Sequence, residues 1–577
     1  MAKQISYQSL TDIGLNGLNT QSNPASLDLS YLVKAENVVI RESGRIAFRK
    51  GLKQKVAPSG TSIASIHEHD DQGTNKIVVS YGTSIYVVDF TSPASAFPSS
   101  GADVKHTVSG SSGNWQFVNF NDRLHCFHAS IEPQRYDGSL SSGSRWTAHA
   151  TKPSTVSSNQ FKPTCGMGYY GRIWAGGVAE SPDVVYYSNL LDGDDWTGGD
   201  AGLIDLSKIW GIDDVIAIAP FYGKLVIFGK NNIVIYDRPD DVTELQLNEV
   251  IRGVGLVSRD TVQAIGDDLV FLSNTGLRSL GRTTEKDKLP LTDLSVNIKD
   301  TLIRNIGQSS NVKSVYVENE GIYIMSFVDK NITYVFDFKH FTPNNAPRIT
   351  TWTFDNDREP TSLSYTETYG LLVGQKDGGL AGYEGYYDTD LAGASTYSYS
   401  SYTSSIATTW INLGESIAAS FLKRLFLVLE GGSGATLGLK WYKDYSPSPS
   451  ETTSITLNPT TTGSTALWGA STSIYGANTA YDYGGVQYCS IGQYNNQTDC
   501  EAGGGTWTTI SNTGAVDQPP NATSNPVTYK PIYGLHEYKT PLTGSAKNLK
   551  LEIDIESNGF DASLQDLTLL HKQGKIR

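Results

Sequence analysis

Three carboxylates stand in one short run, Asp192-Gly193-Asp194-Asp195-Trp196, and tight acidic turns of this kind can bind Ca²⁺. The run lacks the twelve-residue calcium-loop spacing and a downstream bidentate Glu. Tyr186-Tyr187-Ser188-Asn189 precedes it, so the run reads as a turn between strands with a Trp packing back, and no metal is expected. Asp192, Asp194 and Asp195 are the weak candidates if one binds. His67-Glu68-His69-Asp70-Asp71 also carries ligand types. On a strand His67 and His69 share a face, but no third ligand stands nearby and a surface strand end is expected. His125-Cys126-Phe127-His128 puts His and Cys on adjacent positions that face opposite ways, which points to core packing.

Cys489 and Cys500 are eleven positions apart in a polar stretch, and a bridge there would close a short loop worth up to about 3 kcal/mol. Two reduced thiols are the alternative. Cys126 and Cys165 lie in strand-like text and read as buried thiols. A basic run, Arg41, Arg45, Arg49, Lys50, Lys53 and Lys55, stands out in an acidic chain. Inter-subunit or adaptor contact is favoured for it over phosphate contact or plain solvation. No Gly-rich phosphate loop sits between a strand and a helix, and no G-x-S-x-G elbow is present. No catalytic residue and no cofactor are expected. Paired carboxylates for sugar hydrolysis leave no signature of their own, since any two of 59 acids can meet in a fold.

The elements that must position these residues are strands. Long amphipathic helical patterns are nearly absent, and short β-branched and aromatic runs alternate with Gly, Asn, Asp and Ser, which reads as all-β. At 577 residues the chain suggests two or three domains. Its net charge of -14 argues against broad binding to nucleic acid or anionic lipid. Residues 1–60 carry eight Lys/Arg against four Asp/Glu, so the acidic excess lies further along. No run approaches the roughly 18 apolar residues of a membrane span. The stretch Met1 to Leu10 lacks a signal-peptide core, so synthesis in the cytoplasm without export by that route is expected.

From 61 to 390 the text repeats. Units open at Ile63, Trp115, Cys165, Val215, Val262, Val315 and Leu363, separated by 52, 50, 50, 47, 53 and 48 residues. Paired runs such as Leu225-Val226-Ile227-Phe228-Gly229 and Ile233-Val234-Ile235-Tyr236-Asp237 are joined by short turns, as in hairpins. A period of this size predicts a β-propeller of about six to seven units. Residues 1–60 form an extended N-terminal arm. Residues 391–577 form a β-sandwich of two strand blocks, with a Ser/Tyr-rich connector at 395–405 and a long loop or knob inserted at about 445–531.

Several segments resemble one family. Gly14-Leu15-Asn16-Gly17-Leu18-Asn19-Thr20, Ala35-Glu36-Asn37-Val38, Gly44-Arg45-Ile46 and Arg49-Lys50-Gly51-Leu52-Lys53 are similar to the start of the nozzle proteins of short-tailed bacteriophages, also called tail tubular protein B or stabilisation proteins. The block Gly253-Val254-Gly255-Leu256-Val257-Ser258, with Gly266-Asp267-Asp268-Leu269 and Gly276-Leu277-Arg278, looks like the same group. So do Trp410, Leu413-Gly414 and Lys423-Arg424. The likeness covers the propeller-like region and the sandwich, and no motif in it is chemically diagnostic.

The resemblance implies a structural virion-tail protein, assembled in the host cytoplasm. It implies a homohexamer below a portal and its adaptor ring that extends and gates the channel for double-stranded DNA and anchors fibres or spikes. No membrane insertion is expected. Two other readings stay open: a receptor-binding propeller that binds or cleaves host surface glycans, and a cellular propeller scaffold that recruits partner proteins.

Overall fold

In the computed structural model, residues 5–573 are described except 42–43, 89–96, 98–104, 112, 158, 282–292, 310, 356, 387, 393–395, 414–418, 432–434, 458–485, 490–506, 511–534 and 558–560. The described residues are overwhelmingly strand. Seven antiparallel units follow one another between residues 63 and 383, five with four strands and two, at 263–279 and 360–383, with three. Their first strands begin at Ile63, Gln116, Cys165, Val215, Gln263, Val312 and Pro360, within three residues of the openings read from the repeat. They are called blades 1 to 7 in that order.

The blades form because most second and third strands bury residues on both faces. In blade 4, five consecutive residues of Lys224–Gly229 and five of Asn232–Asp237 are buried. Such a sheet is stable only between two neighbours. Hairpin turns adopt the left-handed conformations that match strand twist, as at Asn121-Asp122 with φ of 47° and 55°. The ring closes where Thr361 Oγ1 and Ser362 Oγ of blade 7 donate to the Ile63 carbonyl of blade 1, at 2.6 and 3.1 Å.

The N-terminal arm is extended, and it threads through both domains. Leu52–Val56 pairs with Leu380–Tyr383 and supplies the fourth strand of blade 7. Leu32–Glu36 lies between the last strand of blade 6, Pro347–Trp352, and the sandwich strand Thr403–Thr408. Blade 6 and one sandwich sheet are therefore a single ten-stranded sheet. The other sandwich sheet holds Val38–Ile40, Ile46–Phe48, Ala562–Gln573, Ser420–Gly431 and Leu535–Pro541, with Ile5–Leu10 paired to Ala562–Gln573. One apolar core runs from Val270, Tyr323, Met325 and Phe336 of blades 5 and 6 to Leu425, Leu427, Leu551 and Leu567 of the sandwich. At Gly17 the arm passes so close to blade 6 that a Cβ would lie 2.7 Å from the Ile349 carbonyl oxygen.

The boundary expected between 390 and 391 falls inside a hairpin. Asp388–Ala392 and Thr396–Ser400 pair with each other, and the first adjoins Leu52–Val56, so the start of the Ser/Tyr-rich connector continues the blade 7 sheet. The expected insertion also begins too early. Glu451–Thr456 is a strand that borders Thr436–Lys443 at a sheet edge. Its alternating half-buried pattern explains why so polar a run can pair. Beyond Leu457 the insertion contains a backbone hairpin, Val486–Cys489 with Trp507–Ile510. Cys500 and the Cys489 side chain lie outside the described residues, and with them the possible disulfide.

Candidate functional site

The three aspartates of the acidic run do not converge. Asp192 Oδ1 accepts the Asp194 backbone N–H at 3.1 Å. Asp195 Oδ1 accepts from the N–H groups of Thr197 and Gly198 and from the Thr151 hydroxyl, at 3.1, 2.9 and 3.0 Å. The Thr197 and Gly198 N–H bonds and the two threonine hydroxyls hold the Asp195 carboxyl below its ordinary value. The run is a turn with Trp196 packed back on Phe161, centroids 4.9 Å apart.

Asp194 turns inward instead. Its Oδ1 lies 3.7 Å from both His125 Nδ1 and His149 Nε2, and those two nitrogens are 3.0 Å apart. His125 comes from the second strand of blade 2, Arg123–His128, and His149 follows that blade's last strand, Trp146–Ala148. All three side chains are buried. The spacing resembles that of ligands around a small tetrahedral ion.

The proton positions oppose that use. Trp196 Nε1–H donates to His149 Nδ1 at 3.0 Å, so the neutral ring carries its proton on Nε2, the atom a metal would need. A metal-bound imidazole instead donates from its second nitrogen. Arg135 occupies the other Asp194 oxygen. Burial, reinforced by the Arg135 charge, pushes His149 down to about 3. Burial likewise pushes His125 well down, with His149 and Arg135 adding to it. Burial also raises the Asp194 carboxyl, against the pull of Arg135. The group is a neutral donor chain, Trp196 to His149 to His125, beside a buried ion pair.

His67 and His69 do share a face. They meet blade 2, where His69 Nδ1 lies 2.8 Å from Asn119 Oδ1 and the His67 ring lies 6.1 Å from Phe117. His128 packs on Trp115 at 4.8 Å and accepts the Ser130 N–H. Cys126 and Cys165 are buried free thiols, and burial pushes Cys165 up to about 12, so neither is poised as a nucleophile.

The basic run is engaged within the chain. Arg41 pairs with Asp561, Arg45 with Glu430 at 2.9 Å, Lys50 with Glu320 at 2.6 Å and Lys55 with Glu384. Arg49 is fully buried, donates to Asn37 Oδ1 at 3.0 Å, and has Tyr402 and Phe354 rings 4.1 and 4.8 Å from its guanidinium carbon. Lys53 sits on the strand that closes blade 7, opposite Gly382. These cations fasten the arm to the two domains.

A second cluster escaped the sequence reading. On the propeller axis, residues of blades 1, 2, 5, 6 and 7 line a pocket of about 220 Å³. Asp260 Oδ1 lies 3.0 Å from Arg259 Nε, and Asp260 Oδ2 lies 2.6 Å from Lys313 Nζ. Lys313 Nζ and Arg259 Nη2 both donate to Asn114 Oδ1, at 2.6 and 3.0 Å, and Arg259 Nη1 reaches the Thr164 carbonyl. Burial alone would raise the Asp260 carboxyl, but the two cations hold it well below the usual range. Burial draws the Lys313 ammonium down against the opposing pull of Asp260. The available signal was a charge at a unit opening, Lys313 beside Val312 and Ser314.

No family model and no curated protein matches the chain. Solved structures align with part of the chain. Raptor of Chaetomium thermophilum aligns at 12% identity and a TM-score of 0.39, over 58% of this chain and 30% of that one. This chain thus spans about a third of the length of Raptor. The WD40 domain of Neurospora crassa Pan2 aligns at 7% identity and a TM-score of 0.35, over 58% of this chain and 95% of that one. PorZ of Porphyromonas gingivalis, a bacterial surface component of the type-IX secretion system, aligns at 10% identity and a TM-score of 0.35, over 64% of this chain and 44% of that one.

Proposed function

We propose that this protein is a structural scaffold that works through its surfaces and through assembly. The supporting observation is the ten-stranded sheet that carries blade 6 into the sandwich over a shared core. Two domains coupled this way move together, so a load or contact at one end is felt at the other. The finer form of the proposal is a homo-oligomeric ring, the nozzle of a short bacteriophage tail, which conducts double-stranded DNA. It rests on the family resemblance, whose arm residues 14–20, 35–38 and 49–53 are the ones that stitch the two domains together. A net charge of -14 suits passage of DNA without adhesion.

Mass in solution, followed by electron microscopy of the assembled particle, tests both levels. A closed ring with an axial channel supports the nozzle. A rigid monomer that captures partner proteins leaves the scaffold and removes the nozzle. Release of reducing sugar from host glycans would overturn the proposal.

A further inference from the structure

We propose that the axial pocket of the propeller is a binding site for a small carboxylate, held by the Lys313 ammonium and the Arg259 guanidinium. The charge of the lining comes first. Arg259 and Lys313 face one carboxylate, Asp260, whose two oxygens are already taken by those cations. One positive charge is left over on two side chains only 11% and 8% exposed, Arg259 and Lys313, where an uncompensated charge is costly. A single negative charge balances it.

The donor left over points the same way. An ammonium has three N–H groups, and Lys313 commits two of them, to Asn114 and Asp260. The hydroxyls of the lining are already used: Ser65 donates to the Trp115 carbonyl, Ser314 to the Asp260 carbonyl and Ser362 to the Ile63 carbonyl. What the pocket lacks is an acceptor with one negative charge, and a carboxylate offers acceptors only. About 220 Å³ admits a small acid or the end of an acidic side chain. The site stands on the propeller alone and does not depend on the assembly reading.

The test uses the full chain, labelled with ¹⁵N at its ten tryptophans, and sodium acetate as the probe. One indole resonance, the one missing from Trp115→Phe, is expected to move saturably. Sodium chloride at matched ionic strength is expected to leave it in place. Calorimetry is expected to show acetate binding that is lost in Lys313→Met and weakened at least about tenfold in Arg259→Gln, as for one lost hydrogen bond to a charged group. Trp115→Phe leaves the ion network intact and serves to assign the resonance, and Arg259→Gln decides the matter if Lys313→Met does not fold. No movement of that resonance, or an equal movement with chloride, overturns the site. Acetate that lowers the particle mass identifies the natural carboxylate as a neighbouring chain's side chain, whereas an unchanged mass identifies a free acid.

Discussion

The cluster between blades 2 and 3 and the cluster on the propeller axis are built from similar side chains and behave in opposite ways. At Asp194 the chain surrounds its ionisable groups on every side. The two imidazoles stay neutral, and a single carboxylate meets a single guanidinium. On the axis five blades meet without filling the space, so Arg259, Asp260 and Lys313 keep a net charge facing a pocket. The number of titratable groups does not make a site. Net charge left unmatched beside open volume does.

Removing the central carboxylate of each cluster sharpens the contrast. Asp260→Asn strands two buried cations and should cost about 3–5 kcal/mol in urea unfolding. Asp194→Asn strands only Arg135, which is partly exposed, and should cost about 2–3 kcal/mol. Equal losses would erase the difference drawn between them.

Acid loads buried histidines in both clusters, His149 beside Asp194 and His67 in the axial lining, which burial holds down to about 3 and about 4. The free imidazole value is 6.5, and the buried His149 sits near 3. Below 6.5 the unfolded chain binds a proton that the folded chain refuses, so this contribution to stability is complete above 6.5 and fades as the pH falls towards 3. The slope per such histidine is about 1.4 kcal/mol per pH unit, and His149→Gln should remove one such share from melts run between pH 6 and 4. The smallest effect belongs to the arm's exposed pairs. Arg45→Ala should change stability by less than about 0.5 kcal/mol, because both partners are 40% exposed.

The blade openings were legible because period-two runs and Gly or Asn turns are local signals, and Ile63, Cys165 and Val215 fell on the first residues of strands. The arm's destinations were not. Val38–Ile40 and Ile46–Phe48 are three residues each, too short to show a period; they pair with each other, and the partner that ties Ile46–Phe48 into the sandwich lies more than 500 residues away. Asp194 was visible as a carboxylate, but its inward turn depends on His149 and Arg135 from another blade. The axial cluster was hidden for the same reason. Lys313 comes from the inner strand of blade 6 and Arg259 and Asp260 from a single turn of helix before blade 5, and only the packing of the blades brings them to one pocket.

The strand that completes blade 7 has a consequence in time. Leu52–Val56 is synthesised first and must wait for Leu380–Tyr383. At about 5–20 residues per second the delay is roughly 15 s to 1 min. Throughout it an unpaired edge is exposed to every other nascent chain. Lys53, Gln54 and Lys55 interrupt that edge with charge and polarity, a guard against premature pairing that loses its purpose once the ring shuts.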